Sequence, residues 1–158
     1  MQIQETREPL EDVAADVMVM FHLQDEPSPR GRLGDVDWIL CGALSRLRAR
    51  GKFSGERGAI ALLSPQGKLM AQRLLVMGLG RKADLSLVTL YRLSYQVAEA
   101  VLRLRCTQVA VEIPFRAFPQ DTAQRLYQAF LEGFVAELRR GVPEDQLAIT
   151  VLASPPDA

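Results

Sequence analysis

With 158 residues and 48% hydrophobic content, the chain has material for one substantial core, and a second would be a squeeze because domains commonly need about 100–200 residues. Nineteen bases cancel nineteen acids, which argues against a dedicated nucleic-acid binder, although binding through a basic face remains a secondary expectation. No apolar run approaches the roughly 20 residues of a bilayer span, and the start lacks a basic stretch leading into a long apolar one, so a cytoplasmic protein with no membrane partner is expected.

In chain order, Met1–Thr6 reads as a short edge strand ended by Pro9. Ala14–Leu23, with Val17, Met18, Val19, Met20 and Phe21 in succession, reads as a strand buried on both faces. Asp25–Gly34 then carries two prolines and two glycines, with Arg30 and Arg32 at the tip of the expected loop. From Asp35 to Arg50 the apolar residues recur at three and four, predicting one helix capped by Asp35 and stopped at Gly51. Trp38, Gly42, Ser45 and Ala49 form a second stripe on it, which suggests contact with a further element or subunit. Lys52–Gly58 is a glycine-bounded loop containing Phe53, another candidate contact residue.

Ala59–Ser64 and Leu69–Met77 read as antiparallel strands joined by a turn at Pro65–Lys68. The second enters an unbroken apolar run, Leu74 to Met77, closed by Gly78, Leu79 and Gly80. This reads as the central strand, ending in a turn able to approach something closely. Leu85–Leu104 has a wide apolar face and predicts a long helix. Thr107–Ile113 predicts a strand halted by Pro114. Asp121–Arg140 carries the clearest helical stripe, with Asp121 and Gln124 resembling a capping box and Gly141 and Pro143 as stops. Leu147–Leu152 is the last strand. The order predicts a three-layer α/β/α domain with a mixed, mostly parallel sheet over residues 1–153, followed by a loose tail at 154–158.

Chemistry is sparsely signalled. His22, the sole histidine, lies between Phe21 and Leu23, where a structural role is expected. The carboxylate pairs Glu11-Asp12, Asp25-Glu26 and Asp35/Asp37 suit solvation or helix capping. Cys41 and Cys106 form no metal-binding spacing and read as small buried hydrophobes, so neither metal nor cofactor is expected. Anion capture has better support. Arg30, Gly31, Arg32 and Gly34 precede a helix, and Gly78, Gly80, Arg81 and Lys82 follow a central strand, together offering amides and positive charge of the kind that holds phosphate. The GLG spacing is neither a dinucleotide fingerprint nor a phosphate-binding loop. Residues 38–110 hold twelve bases against three acids. Arg46, Arg48, Arg50, Lys52 and Arg57 among them are the residues a nucleic acid would meet.

Four short motifs, in order, resemble a known family: Leu33-Gly34-Asp35-Val36-Asp37-Trp38, then Gly42, then Phe53-Ser54-Gly55-Glu56-Arg57-Gly58, then Val76-Met77-Gly78-Leu79-Gly80-Arg81-Lys82. They are similar to the N-terminal domain of leucyl aminopeptidases of the M17 type, over roughly residues 12–152. Glu132-Gly133 matches a pair found late in that domain. The resemblance implies a macro-domain-like fold. It places the family's two metals and catalytic residues in a larger C-terminal domain beyond the matching region, so no catalytic or metal residue is carried over. Because full-length members are hexamers, it implies self-association or pairing with a separate catalytic aminopeptidase. The reading is therefore a stand-alone, non-catalytic domain acting in assembly or regulation through protein contacts. The alternatives are a module binding ADP-ribose or another phosphate-containing nucleotide, and a weak DNA-binding regulator. An Asn-rich strand end and a triple glycine serve ADP-ribose in macro domains, and here Met20-Phe21-His22-Leu23 and Arg30-Gly31-Arg32 stand in their places.

Overall fold

The computed structural model describes residues 1–153; the expected tail at 154–158 lies outside them. Its elements are β1 (Gln2–Thr6), β2 (Val17–Leu23), α1 (Gly31–Ile39), α2 (Ala43–Ala49), β3 (Ile60–Leu63), β4 (Leu74–Gly80), α3 (Leu87–Arg103), β5 (Gln108–Val111), α4 (Ala123–Leu138) and β6 (Ala148–Leu152), with short 3-10 turns between them. The six strands form one sheet in the order β1-β6-β5-β2-β4-β3. All neighbours are parallel except β3, which runs antiparallel to β4.

Every residue of β2 and β4 is buried, as continuous apolar strands in a doubly covered sheet should be. Alternation then sorts the side chains. Val17, Val19, Phe21 and Leu23 of β2 face α3 and α4, while Met18 and Met20 face α1 and α2. Each helix layer thus closes a separate half of the core, giving a mixed, mostly parallel α/β/α sandwich. The chain crosses from β4 through α3 to β5 on the far side of β2, so neighbouring connections diverge around the central strands. A crevice at their carboxyl ends follows from that divergence.

The structure corrects several sequence expectations. The single helix at 35–50 is two. Cys41 and Gly42 adopt positive φ (57° and 78°) and turn the chain between α1 and α2. Helix α1 starts at Gly31, four residues before Asp35, which therefore caps nothing. The cap belongs instead to Asp37, whose Oδ1 accepts the amides of Leu44 (2.8 Å) and Ser45 (3.2 Å) while Oδ2 accepts the Ser45 hydroxyl. The predicted Trp38, Gly42, Ser45 and Ala49 stripe is accordingly broken. Phe53 is 3% exposed and packs inside the α1–α2 half of the core, so it offers nothing to a partner. Cys106 is buried, but Cys41 is exposed at its turn. At α4 the cap is Thr122, which accepts the Arg125 amide, one residue later than the capping box predicted. The strand expected from Leu69 starts at Leu74, and residues 78–80 extend it instead of forming a turn.

Candidate functional site

The carboxyl ends of β2, β4 and β5 meet at a cleft of about 230 Å³. Phe21, Leu23, Leu79 and Ile113 give it an apolar floor, and its rim carries Arg30, Gly31, Arg32, Lys82, Glu112 and Arg116. The helix α1 opens onto it. Arg30 is extended and Gly31 has φ of 60°, so the chain turns sharply into the helix. Gly34 closes the first turn by donating to the Arg30 carbonyl at 3.2 Å. The amides of Gly31, Arg32 and Leu33 have no carbonyl to bond within the helix, no side chain caps them, and the first turn holds no acidic residue. A Cβ on Gly34 would stand 2.9 Å from the Pro29 carbonyl oxygen, so that glycine serves the turn and not the cleft.

One ion pair crosses the cleft: Arg32 Nη1 donates to Glu112 Oε2 at 3.4 Å. This is long for a charge-assisted bond, which commonly falls near 2.7–2.9 Å. Burial pushes the Glu112 carboxyl above its ordinary range, against the pull of Arg32. Arg116 enters from the turn after β5, and a Cβ on Gly31 would meet its guanidinium.

Of the residues singled out for anion binding, Arg30, Gly31, Arg32 and Lys82 come together here. Gly34, Gly78, Gly80 and Arg81 do not line the cleft. Gly78 does approach something closely, but that something is the chain's own 55–58 loop: a Cβ on it would collide with the Glu56 carbonyl oxygen. Gly78 donates to Ala59 O (2.8 Å), Gly58 donates to Gly78 O (3.0 Å) and Gly80 donates to Gly55 O (3.0 Å). The Phe53–Gly58 and Val76–Lys82 motifs are thus two halves of one interlocked unit. Gly80, with φ of 80°, takes up the register shift where Leu23 of β2 pairs with it. Sequence reading missed Glu112 and Arg116. Their one signal is position, since Glu112 follows directly on a buried strand of an open sheet and Arg116 lies in the turn after it.

On the α1–α2 side the basic residues are largely spoken for. Arg48 donates to Gln24 O (2.7 Å) and Ser54 O (2.8 Å), and its Nη1 lies 3.0 Å from His22 Nε2. Arg46 bonds the Cys41 carbonyl and Arg57 the Asp84 carbonyl. Each fastens a loop to the fold. His22 is 2% exposed, its Nδ1 has no hydrogen-bond partner among the described residues, and burial, followed by the Arg48 charge, pushes its pKa down to about 4. It is a neutral structural histidine at ordinary pH. Trp38 stands apart from all of this, with 86% of its surface exposed. Among the described residues no group of three or more His, Cys, Asp or Glu side chains converges on a point where a metal ion could sit, and no helix is long and apolar enough to cross a membrane.

The family model described as the cytosol aminopeptidase family, N-terminal domain, matches residues 18–138. The chain belongs to that family. The probable cytosol aminopeptidase of Geobacter sp. strain M21 is 32% identical over 140 residues, which cover 87% of this chain and 28% of the relative. That of Cyanothece sp. strain PCC 7425 is 26% identical over 127 residues, covering 80% and 26%. The chain therefore spans little more than a quarter of these cytosol aminopeptidases, and the match is to their N-terminal domain alone. Among solved structures, a tomato leucine aminopeptidase superposes with a TM-score of 0.70 at 18% identity, over 99% of this chain and 34% of that one. The macrodomain of Trypanosoma brucei in complex with ADP superposes at 0.76 and 16% identity, over 99% and 65%. At such identities the likeness establishes the fold: this N-terminal domain is macro-domain-like, as its resemblance implied.

Proposed function

We propose that this member of the cytosol aminopeptidase family is a non-catalytic module that works through protein contacts, assembling with copies of itself or with a catalytic aminopeptidase. The single observation that carries the reading is Trp38. Its indole is 86% exposed on α1, whereas the neighbouring Leu33, Val36 and Leu40 close the core beneath it. An isolated indole in water forgoes a large apolar burial, and tryptophan is enriched among the residues that dominate protein interfaces. Met70, the other large apolar side chain at least 60% exposed, adds a flexible thioether to the surface of the molecule. The matched domain supports the same reading, because it is the portion of the relatives covered here.

Light scattering on the full chain, alone and mixed with a cytosol aminopeptidase, tests it. A defined oligomer or a complex is expected for the wild type. Trp38→Ala should lower that mass while leaving the melting temperature almost unchanged, since the side chain packs against little in the single chain. A monomer that ignores the peptidase, or an oligomer indifferent to Trp38→Ala, would overturn the proposal.

A further inference from the structure

The geometry points to the cleft at the carboxyl ends of β2, β4 and β5 as a binding site for the phosphate group of a small phosphomonoester. The cleft brings four cationic side chains, Arg30, Arg32, Lys82 and Arg116, against two carboxylates, Glu26 and Glu112. Positive charge is therefore in excess, with Arg30, Lys82 and Arg116 exposed at the rim and Arg32 half-buried beside the apolar floor.

The position of α1 sharpens the imbalance. The amino end of a helix carries roughly half a positive charge, and side chains that complement it are acidic. Here the first turn holds no acid, Arg30 sits at the cap position, and the Arg116 guanidinium stands over Gly31, whose missing side chain leaves it room. Cations gathered at a positive helix end are mutually unfavourable until an anion lies between them. With one there, the arrangement becomes a cradle, in which free amides and guanidinium groups converge on the same oxygens.

The one internal counter-ion is a weak one. Glu112 holds Arg32 through a single 3.4 Å contact, not a bidentate pair, and each side chain keeps about a fifth of its surface exposed. Most of the Arg32 donors remain available, and burial disfavours the Glu112 charge itself. A phosphate dianion, with more charge and more acceptor oxygens, outcompetes such a partner.

Size sets the class of ligand. At about 230 Å³ the cleft lies below the roughly 300–1,000 Å³ of sites that enclose drug-sized molecules. It suits one phosphate with a compact organic group resting on Phe21, Leu79 and Ile113, and is too small to enclose a dinucleotide. The site lies at the strand ends and is separate from Trp38, so its test is independent of the assembly proposal.

Isothermal titration of the full chain with inorganic phosphate, phenyl phosphate and ADP-ribose tests the assignment. Phenyl phosphate is expected to bind more tightly than inorganic phosphate, and both more tightly than ADP-ribose. Arg116→Ala should weaken phenyl phosphate binding about tenfold, the scale of one charge-assisted hydrogen bond. Glu112→Gln should tighten it severalfold by releasing Arg32, a gain of function that misfolding cannot mimic. Circular dichroism and melting of both variants separate a lost site from a lost fold. Failure of phenyl phosphate to bind at millimolar concentration would overturn the proposal, as would binding indifferent to both substitutions. Tighter binding of ADP-ribose would overturn the size assignment.

Discussion

The two helix layers solve the same problem by different means. Helices α3 and α4 run for 17 and 16 residues, and their apolar stripes bury Phe130 and Phe134 completely against the sheet. Helices α1 and α2 have only nine and seven residues, separated by a turn with two positive φ angles. That side is held by polar staples: Asp37 over the start of α2, and Arg48 across Gln24, Ser54 and His22. A layer built from continuous stripes yields stability and little else. A layer built from short pieces exposes helix ends and turn residues, and it is where Arg30, Gly31, Arg32 and Trp38 all reside.

The α3–α4 side should answer most strongly to loss of apolar volume. Phe134→Ala removes a fully buried ring beside Phe130, whose centroid lies 5.2 Å away. It should cost about 3–5 kcal/mol in urea unfolding, and a cost below about 1 kcal/mol would show that the layer can collapse around the loss.

The α1–α2 side should answer instead to pH. Because the folded His22 pKa is about 4 against an ordinary 6.5, the unfolded chain takes up a proton in a range where the folded chain refuses it. Stability should therefore fall as pH drops from about 6.5 towards about 4, by about 3 kcal/mol, and level off below. His22→Gln should flatten that part of the profile. An unchanged profile in the variant would assign the pH dependence to the carboxylates. A smaller effect is expected from Asp37→Ala, which strips the start of α2 of its acceptor and leaves the buried Leu44 amide unpaired. A loss of about 1–2 kcal/mol is expected, with hydrogen exchange accelerated at Leu44 and Ser45 before it changes in α4.

What could be read from the chain follows the same division. The long helices and the buried strands β2 and β4 were legible because apolar periodicity is a local signal and their packing obeys it. The break between α1 and α2 was not, because a continuous apolar pattern runs through Cys41 and Gly42 while the cap that interrupts it comes from Asp37. Half of the cleft was legible: a loop carrying Arg30 and Arg32 after a buried strand marks a ligand crevice in an open sheet. Arg116 and Glu112 lie some eighty residues further on, and nothing local ties them to that loop. The glycines at 78 and 80 misled for a physical reason. A glycine that lets a ligand approach and one that lets a loop approach look alike in sequence, and here the approaching groups are Glu56 at Gly78 and Arg57 at Gly80.

The outer pair of strands bears on how the molecule reaches its native state. The strand β1 hydrogen-bonds only to β6, in register from Gln2 with Ala148 to Thr6 with Leu152. Within this domain β1 therefore has no strand neighbour until β6, the farthest strand along the chain, has been made. Until then β1 is unpaired, and such edges invite pairing with another chain. Four of its five residues are exposed even in the finished fold, and their polar side chains, Gln2, Gln4 and Glu5, keep that waiting strand from being adhesive. At high expression the same arrangement leaves a route to exchange, in which β1 of one nascent molecule docks on β6 of another.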